Sequence, residues 1–401
     1  MTTETGKQEL VTLTLKPNEE ERLNRGHLWV FSNELAAVPK TVPPGSLAIL
    51  TSSKGKMFGI GFYNPNSLIA FRLLAREPRP IDAAFFKDRL SAALARRRRW
   101  LGEARSFRLC FGESDGLPGL VIDKFEDCLV IEALSAGIER SLGPIVEALT
   151  ELFKPAAIHA RNEHPARVLE GLPSESVTLA GKLPERVVIE EDGLKFVVAL
   201  GAGQKTGFYF DQRDNRKAVA ALAKGRNVLD LYCYSGAFAL HAARAGALRV
   251  VAVDSSGPAL ELARESAQLN ALQGKVIFEE GDADGILEEF GTARRQLMPD
   301  LVLVDPPSLV PARKHLPKAI KAYVRLNSNA MRILSGGGIV VSSACSHHVS
   351  RETFVDILRE AASRAQKAVR LVELRGAAKD HPVLLTMPET EYLNCAIMEI
   401  D

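Results

Sequence analysis

The chain of 401 residues lacks the features that mark several protein classes. Its five cysteines are scattered, without the spacing of a metal site or of a disulfide framework. No stretch approaches the ~20 apolar residues of a membrane span, and the first residues show neither the basic nor the apolar segment of a signal peptide. These absences favour a protein of the reducing cytoplasm, with no metal and no membrane partner.

Charge of one sign is also scarce, because the formal net charge is only +2. A hydrophobic fraction of 46% and a charged fraction of 25% are ordinary for a globular protein. Global charge therefore does not by itself require a nucleic-acid partner. The length fits two or three domains.

A further absence concerns nucleotide binding, since the chain has no dinucleotide-type G-x-G-x-x-G loop at its most informative turn. There, an apolar strand at 227–231 breaks at Ser235-Gly236-Ala237, and a helix starts at once. Asp230 occupies the place that a pyrophosphate would need, and a carboxylate there suits the cationic amino acid end of S-adenosylmethionine. Asp254 ends the next strand, where an acid can bind ribose hydroxyls.

Strands and helices alternate from about residue 200 onward, which predicts an α/β domain with a mainly parallel sheet. The predicted strands are 227–231, 248–253, 276–280, 300–304, 338–343, 368–374 and 393–400. The predicted helices are 212–223, 237–245, 257–271, 318–334 and 350–365. Ligands gather at the carboxyl ends of such strands.

Three domains are predicted from the composition. Residues 1–78 form a β-rich module that ends at the proline-bearing linker 76–80. Residues 79–200 form a central α+β domain, in which a hairpin turns at Asp192-Gly193. Residues 201–401 form the α/β domain.

Two more strand ends carry acids, in Gly281-Asp282-Ala283 and in Asp305-Pro306-Pro307-Ser308. A carboxylate at Asp282 could accept a hydrogen bond from an adenine amino group. A lone aspartate after a strand is usually a structural turn residue. Four such strand ends in this order indicate a cofactor site.

The segment 227–305 resembles the core of class I S-adenosylmethionine-dependent methyltransferases. Residues 203–216, 113–119 and 342–346 resemble the large-subunit ribosomal RNA cytosine-5 methyltransferases of the RlmI type. The N-terminal segments 16–31 and 59–64 resemble the PUA RNA-binding domain of that family. The resemblance covers nearly the whole chain, and it implies a class I methyltransferase fold with a seven-stranded sheet beside a PUA-like and a central domain.

The resemblance also implies residue roles. The catalytic residues are Cys345 and Asp305. The predicted cofactor-binding residues are Gln212, Arg213, Asp230, Tyr232, Ser235, Gly236, Ala237, Asp254, Ser255, Asp282, Ala283 and Asp305. The segment 205–213 is expected to close over the cofactor. The predicted RNA-binding residues are Arg25, Arg72, Arg96 and Arg97, although a basic run on a helix is equally compatible with a solvated face.

Cys345 points to the chemistry. Carbon 5 of a pyrimidine needs activation by a thiolate that adds at carbon 6. Ser308 follows the Asp-Pro-Pro motif where enzymes that methylate exocyclic amines usually carry an aromatic residue, so amine methylation is disfavoured. The base that removes the carbon-5 proton stays open between Asp305, a water molecule and the pair His347/His348.

The sequence therefore predicts an RNA methyltransferase that uses S-adenosylmethionine to form 5-methylcytosine in large-subunit (23S) ribosomal RNA. Uracil-5 methylation uses the same thiolate logic and stays an alternative. A non-catalytic RNA-binding protein is the alternative from another class, and the extra N-terminal module argues against a small-molecule or protein substrate. The target nucleotide and the oligomeric state stay open, with a homodimer among the states allowed.

Overall fold

A computed structural model describes residues 10–201, 206–292, 298–310 and 313–401. The chain divides into two compact units. The first unit runs to Glu103 and includes Phe107–Pro184 and Pro382–Thr390. The second unit contains Ala104–Ser106, Glu185–His381 and Glu391–Asp401. No helix in the described residues is long and apolar enough to span a membrane.

The first unit contains two five-stranded sheets. One sheet has the order β1-β3-β4-β5-β2 and joins only β1 and β3 in parallel. Its elements are β1 (Val11–Thr14), α1 (Glu21–Asn24), β2 (Trp29–Phe31), β3 (Ser46–Thr51), β4 (Met57–Tyr63) and β5 (Ile69–Ala75). Leu13, Leu50 and Phe71 belong to the apolar cluster under this sheet.

The other sheet has the order β10-β9-β8-β7-β6, in which only β8 and β9 are parallel. Its strands are β6 (Phe107–Phe111), β7 (Leu120–Phe125), β8 (Cys128–Ala133), β9 (Ala157–Asn162) and β10 (Glu175–Gly181). Its helices are α2 (Ala83–Leu101), α3 (Ala136–Arg140), α4 (Leu142–Phe153) and α5 (Ala166–Leu169). Helix α2 begins at Asp82, whose side chain accepts from the Phe85 N–H, as an N-cap does.

Glu170 joins the two sheets of the first unit. Its carboxylate accepts from Ser67 Oγ at 2.6 Å and from Asn64 Nδ2 at 2.9 Å, and it pairs with Arg72 at 3.0 Å. The three-domain division at 78 and 200 stays a prediction. Within the two compact units, the β-rich module lies with the central sheet, and the hairpin at 186–199 lies in the second unit.

The second unit contains a seven-stranded sheet of order β15-β14-β13-β16-β17-β19-β18, and β19 runs against its neighbours. The hairpin β11 (Arg186–Glu191) and β12 (Leu194–Ala199) stands beside it as a separate ladder. The sheet strands are β13 (Asn227–Leu231), β14 (Arg249–Asp254), β15 (Val276–Glu280), β16 (Leu301–Val304), β17 (Ile339–Cys345), β18 (Val369–Arg375) and β19 (Leu393–Ile400).

The α-helices in the described part of the second unit are α6 (Arg213–Ala223), α7 (Ala237–Arg244), α8 (Gly257–Leu269), α9 (Ala283–Gly291), α10 (Leu316–Arg332) and α11 (Arg351–Ala365). The strands β13 and β16 are almost wholly buried, as expected for parallel strands covered on both faces. The predicted fold class is confirmed, and its parallel strands end at one edge of the sheet, which positions the site.

Candidate active site

A cavity of about 330 Å³ lies in the second unit and is bordered by the residues that follow β13, β14 and β16 and by the last residue of β17. This volume falls within the usual range of small-molecule sites. The predicted residues that line it are Gln212, Tyr232, Ser235, Ala237, Asp254, Ser255, Asp305 and Cys345. Phe208 and Asp211 also line it and belong to the segment 205–213, although neither was singled out, and the sequence analysis missed Arg216.

The turn after β13 has a strained backbone. Tyr232, Tyr234 and Gly236 all have positive φ angles, of 63°, 48° and 75°. A Cβ on Gly236 would lie 2.9 Å from the Phe278 ring. A non-glycine residue held at a positive φ angle costs roughly 1–3 kcal/mol of conformational free energy, and such residues cluster at ligand sites. The backbone conformation of this turn is therefore typical of a ligand-binding turn.

Asp254 organises this turn from the end of β14. One carboxylate oxygen accepts from the Tyr234 N–H and the other from the Ser256 N–H, both at 2.8 Å. A carboxylate has about four acceptor positions, so capacity for ribose hydroxyls remains.

Asp230 lies behind the lining residues and is 1% exposed. Burial raises its pKa well above the ordinary value, and the nearby carboxylates of Asp305 and Asp254 raise it further. Its Oδ2 has no hydrogen-bond partner among the described residues. A buried acceptor in a group of three carboxylates fits a cationic ligand group, such as the methionine end of S-adenosylmethionine.

Asp282 and Ala283 lie outside the lining residues. Asp282 is the N-cap of α9 and accepts from the Gly285 N–H at 3.2 Å, whereas Ala283 is buried in the apolar core. The adenine contact at this position stays a prediction.

The predicted contact between Arg213 and the cofactor needs correction. Its guanidinium is buried, pairs with Glu191 at 3.0 Å and donates to the Ser106 carbonyl at 2.6 Å. Arg216 lines the cavity and pairs with the same Glu191 at 2.6 Å. Burial alone would raise the pKa of Glu191. The charge of Arg216, together with His241 and Arg213, has the larger effect and holds that pKa below the ordinary value. Of the segment 205–213, residue 205 lies outside the described residues.

Asp305 is oriented by an amide chain. Gln212 Nε2 donates to both Asp305 oxygens, each at 3.1 Å. Gln212 Oε1 accepts from Asn215 Nδ2 at 2.6 Å, and Asn215 Oδ1 accepts from Arg375 Nε at 2.9 Å. Guanidinium only donates, and the Gly376 carbonyl, which only accepts, takes a hydrogen bond from Asn215 Nδ2 at 3.2 Å, so Arg375 and Gly376 together fix the direction of both amides and turn the Gln212 NH₂ toward Asp305. Gln212, Asn215 and Arg375 form what we term the amide relay.

Cys345 differs from the other four cysteines. It is half-buried and lines the cavity, whereas Cys110, Cys128, Cys233 and Cys395 are buried. Burial raises the pKa of Cys395 to about 12, and it raises the pKa of Cys233 well above the ordinary value. Cys233 also borders the cavity, but Asp230 and Asp254 disfavour its thiolate further. Cys345 is therefore the cysteine best placed to act as a nucleophile.

Asp211 is a second buried acid at the cavity. Tyr392 donates its hydroxyl to Asp211 Oδ2 at 2.6 Å, and the Tyr392 carbonyl accepts from the Ser346 N–H at 2.9 Å. Asp211 therefore lies one side chain away from the end of β17. The two histidines after Cys345 are not among the lining residues.

The predicted RNA-binding arginines divide into two groups. Arg25 is exposed, and Arg96 is partly exposed while it pairs with Asp115 at 2.6 Å. Arg97 is buried in a bidentate pair with the same Asp115, and Arg72 is buried against Glu170. The prediction for Arg97 and Arg72 is corrected, because neither side chain has a surface to offer to a phosphate. No group of three or more His, Cys, Asp or Glu side chains within the described ranges could hold a metal ion.

Two stretches of the chain match known families. Residues 13–76 match a PUA-like domain, and residues 143–385 match an S-adenosylmethionine-dependent methyltransferase. The second match covers more than half of the chain. The chain belongs to the S-adenosylmethionine-dependent methyltransferase family. The cofactor of this methyltransferase is S-adenosylmethionine, as predicted.

The methyltransferase has relatives of nearly its own length. Proteins named ribosomal RNA large subunit methyltransferase I from Shewanella denitrificans and Escherichia coli O157:H7 are each 36% identical to it. Both alignments cover 97% of this chain, and they cover 99% and 100% of those proteins. A methyltransferase structure from Streptococcus mutans has a TM-score of 0.81 at 21% identity and covers 97% of this chain and 100% of its own. That likeness shows the fold.

Proposed function

We propose that this methyltransferase forms 5-methylcytosine in large-subunit ribosomal RNA through a thiolate adduct at carbon 6. The observation that carries the proposal is that Cys345 and Asp305 line one cavity, while burial raises the pKa of the other thiols. The names of relatives that match over the whole chain support the RNA class. Five free thiols fit a reducing cytoplasm.

The proposed reaction begins when the Cys345 sulfur bonds to carbon 6 of the base. The electron pair of the carbon 5–carbon 6 double bond then makes carbon 5 nucleophilic. Asp305, held by Gln212 in the amide relay, orients the ring nitrogen and the exocyclic amine. Bound S-adenosylmethionine would supply the methyl group, whose bond to the sulfonium sulfur breaks as the bond to carbon 5 forms, so that S-adenosylhomocysteine is the leaving group. Loss of the carbon-5 proton restores the double bond and expels the Cys345 thiolate.

Asp211 is proposed as the acceptor of the carbon-5 proton. Asp305 is engaged with the base and Asp254 with the turn and the ribose, which leaves Asp211 as the further carboxylate at the cavity. The Asp211→Asn variant should form the bond to carbon 6 but fail to release it. It should therefore accumulate a methylated adduct on unmodified RNA, while Cys345→Ala should form none. If Asp211→Asn methylates RNA at the wild-type rate without accumulating an adduct, another group must accept the carbon-5 proton.

The cofactor roles follow the contacts of the site. We propose that Asp254 binds the ribose, that Asp230 and the Ser235–Ala237 turn hold the methionine end, and that Asp282 contacts the adenine. The unpartnered Asp230 oxygen and the two backbone bonds to Asp254 support the first two assignments.

One experiment separates the proposed product from its alternatives. The purified protein is incubated with deproteinised ribosomal RNA and methyl-labelled S-adenosylmethionine, and the labelled nucleoside is identified by mass spectrometry. The expected nucleoside is 5-methylcytidine. A label in 5-methyluridine would establish the uracil alternative, and RNA binding without label would indicate a non-catalytic RNA-binding protein.

A further inference from the structure

The stretch that connects the two catalytic residues has an unusual charge. From Pro306 through Arg351 the chain contains no Asp or Glu, but it contains seven Lys and Arg residues. Over the whole chain, acidic and basic residues are nearly equal in number, at 49 and 51. The stretch begins directly after Asp305 and includes Cys345, so the excess of positive charge accompanies the active site.

Three of these cations share one face of a helix. Lys314 lies in the short turn Arg313–His315 that leads into α10, and Lys318 and Lys321 follow at intervals of four and three residues. Such intervals place side chains on one side of a helix. All three are exposed, and no salt bridge to them occurs among the described residues. We term Lys314, Lys318 and Lys321 the basic face.

The basic face lies at the cavity edge of the second unit. Strand β16 ends at Val304, and Pro306, Pro307 and Ser308 line the cavity before the chain enters α10. In a parallel β–α–β connection the helix starts at the carboxyl edge of the sheet, which here is the edge that carries the cavity. Further along α10, the pKa of buried Tyr323 is raised by burial and then by neighbouring Cys345, which places this helix beside the nucleophile.

The cations do not serve the stability of the helix. The first turn of α10 contains no acid, and positive charges at a helix N-terminus oppose the helix dipole. Departures from local structural preference are expected where a residue serves function. A surface that collects positive charge without partners suits a polyanion.

We propose that the basic face binds the phosphates of the RNA strand that flanks the target base. The inference rests on the proposed RNA substrate. Lys314 to Lys321 span roughly 10 Å along the helix, a length over which long flexible side chains can reach successive phosphates. A base that reacts at carbon 5 must leave its stack, so the strand on either side of it needs support. The basic face supplies that support at the mouth of the cavity.

The test compares two full-length triple variants with the same change in charge. The first is Lys314→Gln, Lys318→Gln and Lys321→Gln. The control is Lys224→Gln, Arg249→Gln and Lys275→Gln, which removes three exposed cations before β13, at the start of β14 and before β15, at the opposite edge of the same sheet. Binding of deproteinised large-subunit ribosomal RNA is measured over a range of salt concentrations, and binding of S-adenosylmethionine is measured by calorimetry.

The basic-face variant should lose RNA affinity by roughly tenfold to a hundredfold, and its slope of log affinity against log salt should fall by about two units. The control triple should match the wild type, and both variants should bind S-adenosylmethionine as the wild type does. Equal losses in the two triples, or no loss in the first, would overturn the inference. If the wild type forms 5-methylcytidine but the two triple variants bind RNA equally well, only the role of the basic face is refuted. If the basic-face variant binds RNA more weakly than the control but the wild type labels another nucleoside, only the proposed product is refuted.

Discussion

The orientation of Asp305 depends on a side chain that does not touch it. Gln212 could present either its oxygen or its nitrogen to the carboxylate, and only the nitrogen gives attraction. The orientation of the Gln212 amide is set by its hydrogen bond from Asn215, and the orientation of the Asn215 amide is set in turn by Arg375, whose guanidinium can only donate. In the proposed reaction Arg375 is thus a positioning residue, because it acts on the Asp305 carboxylate through two amides.

The effect of replacing Arg375 on catalysis should therefore depend on whether the new side chain can accept a hydrogen bond. Arg375→Gln can accept as well as donate, so the amides can turn and kcat should fall by about 10- to 100-fold. Arg375→Lys keeps a donor-only group and should retain most of the activity. The KM for S-adenosylmethionine should change little in either variant. Equal activity of the Gln and Lys variants in steady-state kinetics would contradict the directional role.

Asp230 should make the stability of the cofactor-free protein depend on pH. Its folded-state pKa is raised by burial and by two neighbouring carboxylates, so the folded chain holds a proton that the unfolded chain releases. Stability should fall as pH rises above ~4, the unfolded value, toward the raised folded value. Thermal melts at several pH values should show a smaller fall for Asp230→Asn than for the wild type. Parallel curves for the two proteins would contradict this assignment.

Single residues were predictable from the sequence where a strand end or a motif marks them. Asp254 and Asp305 follow apolar runs, and both line the cavity. Arg375 gave no signal, because it lies far along the chain from the Asn215 that it contacts. Arg97 was mispredicted, because a basic run does not reveal that one of its members is buried against Asp115.

At the scale of elements, the turn between β13 and α7 borders the cavity, and we propose that it holds the cofactor. Gly236 has a φ of 75°, and an added Cβ would also lie 3.1 Å from the Ala263 side chain. Gly225, which precedes β13, has a similar φ of 72° with nothing near its Cβ position. Comparing alanine substitutions at these two glycines therefore separates the free-energy cost of the left-handed backbone from the cost of the steric contact.

Gly236→Ala should therefore destabilise the protein by more than Gly225→Ala. The left-handed backbone alone should cost each variant about 1–2 kcal/mol. The close contact at Gly236 adds to that cost, and displacement of the turn should also weaken binding of S-adenosylmethionine. Denaturant unfolding and calorimetry measure the two effects. Equal losses of stability, with unchanged cofactor affinity in both variants, would show that the contact is unimportant.

Elements with strong periodic patterns were predicted closely. The strands at 227–231 and 276–280 have the predicted bounds, and the hairpin turns at Asp192-Gly193 as expected. The strands β9 and β10 were missed. Most of β10 is exposed, so it lacks the alternation of apolar and polar residues that identifies a half-buried strand.

At the scale of the molecule, one buried carboxylate contacts both halves of the first unit. Glu170 accepts from residues of the N-terminal sheet and from the Ala136 N–H of the central sheet region. Composition separates these two parts at a proline-bearing linker, but it cannot show a polar contact between residues about a hundred positions apart. The two compact units therefore could not be predicted from the sequence.

Glu170→Ala should destabilise the first unit by about 3–5 kcal/mol, because it leaves the Arg72 charge buried without its partner. Asp88→Ala removes the exposed partner of Arg79 and should cost at most about 1 kcal/mol. Both tryptophans, Trp29 and Trp100, lie in the first unit, so their fluorescence in urea reports its unfolding. Similar costs for the two variants would refute the role of Glu170.

The most direct test of the proposed chemistry is a covalent trap. Full-length protein is incubated with S-adenosylmethionine and large-subunit ribosomal RNA in which 5-fluorocytosine replaces cytosine, and the protein–RNA adduct is mapped by peptide mass spectrometry. Fluorine cannot leave as the proton does, so an adduct that survives denaturation should form at Cys345. Cys345→Ala should form no adduct and should bind S-adenosylmethionine with unchanged affinity. An adduct at Cys233 would contradict the assignment of Cys345 as the nucleophile, and full methylation of natural RNA by Cys345→Ala without an adduct would contradict the thiolate mechanism.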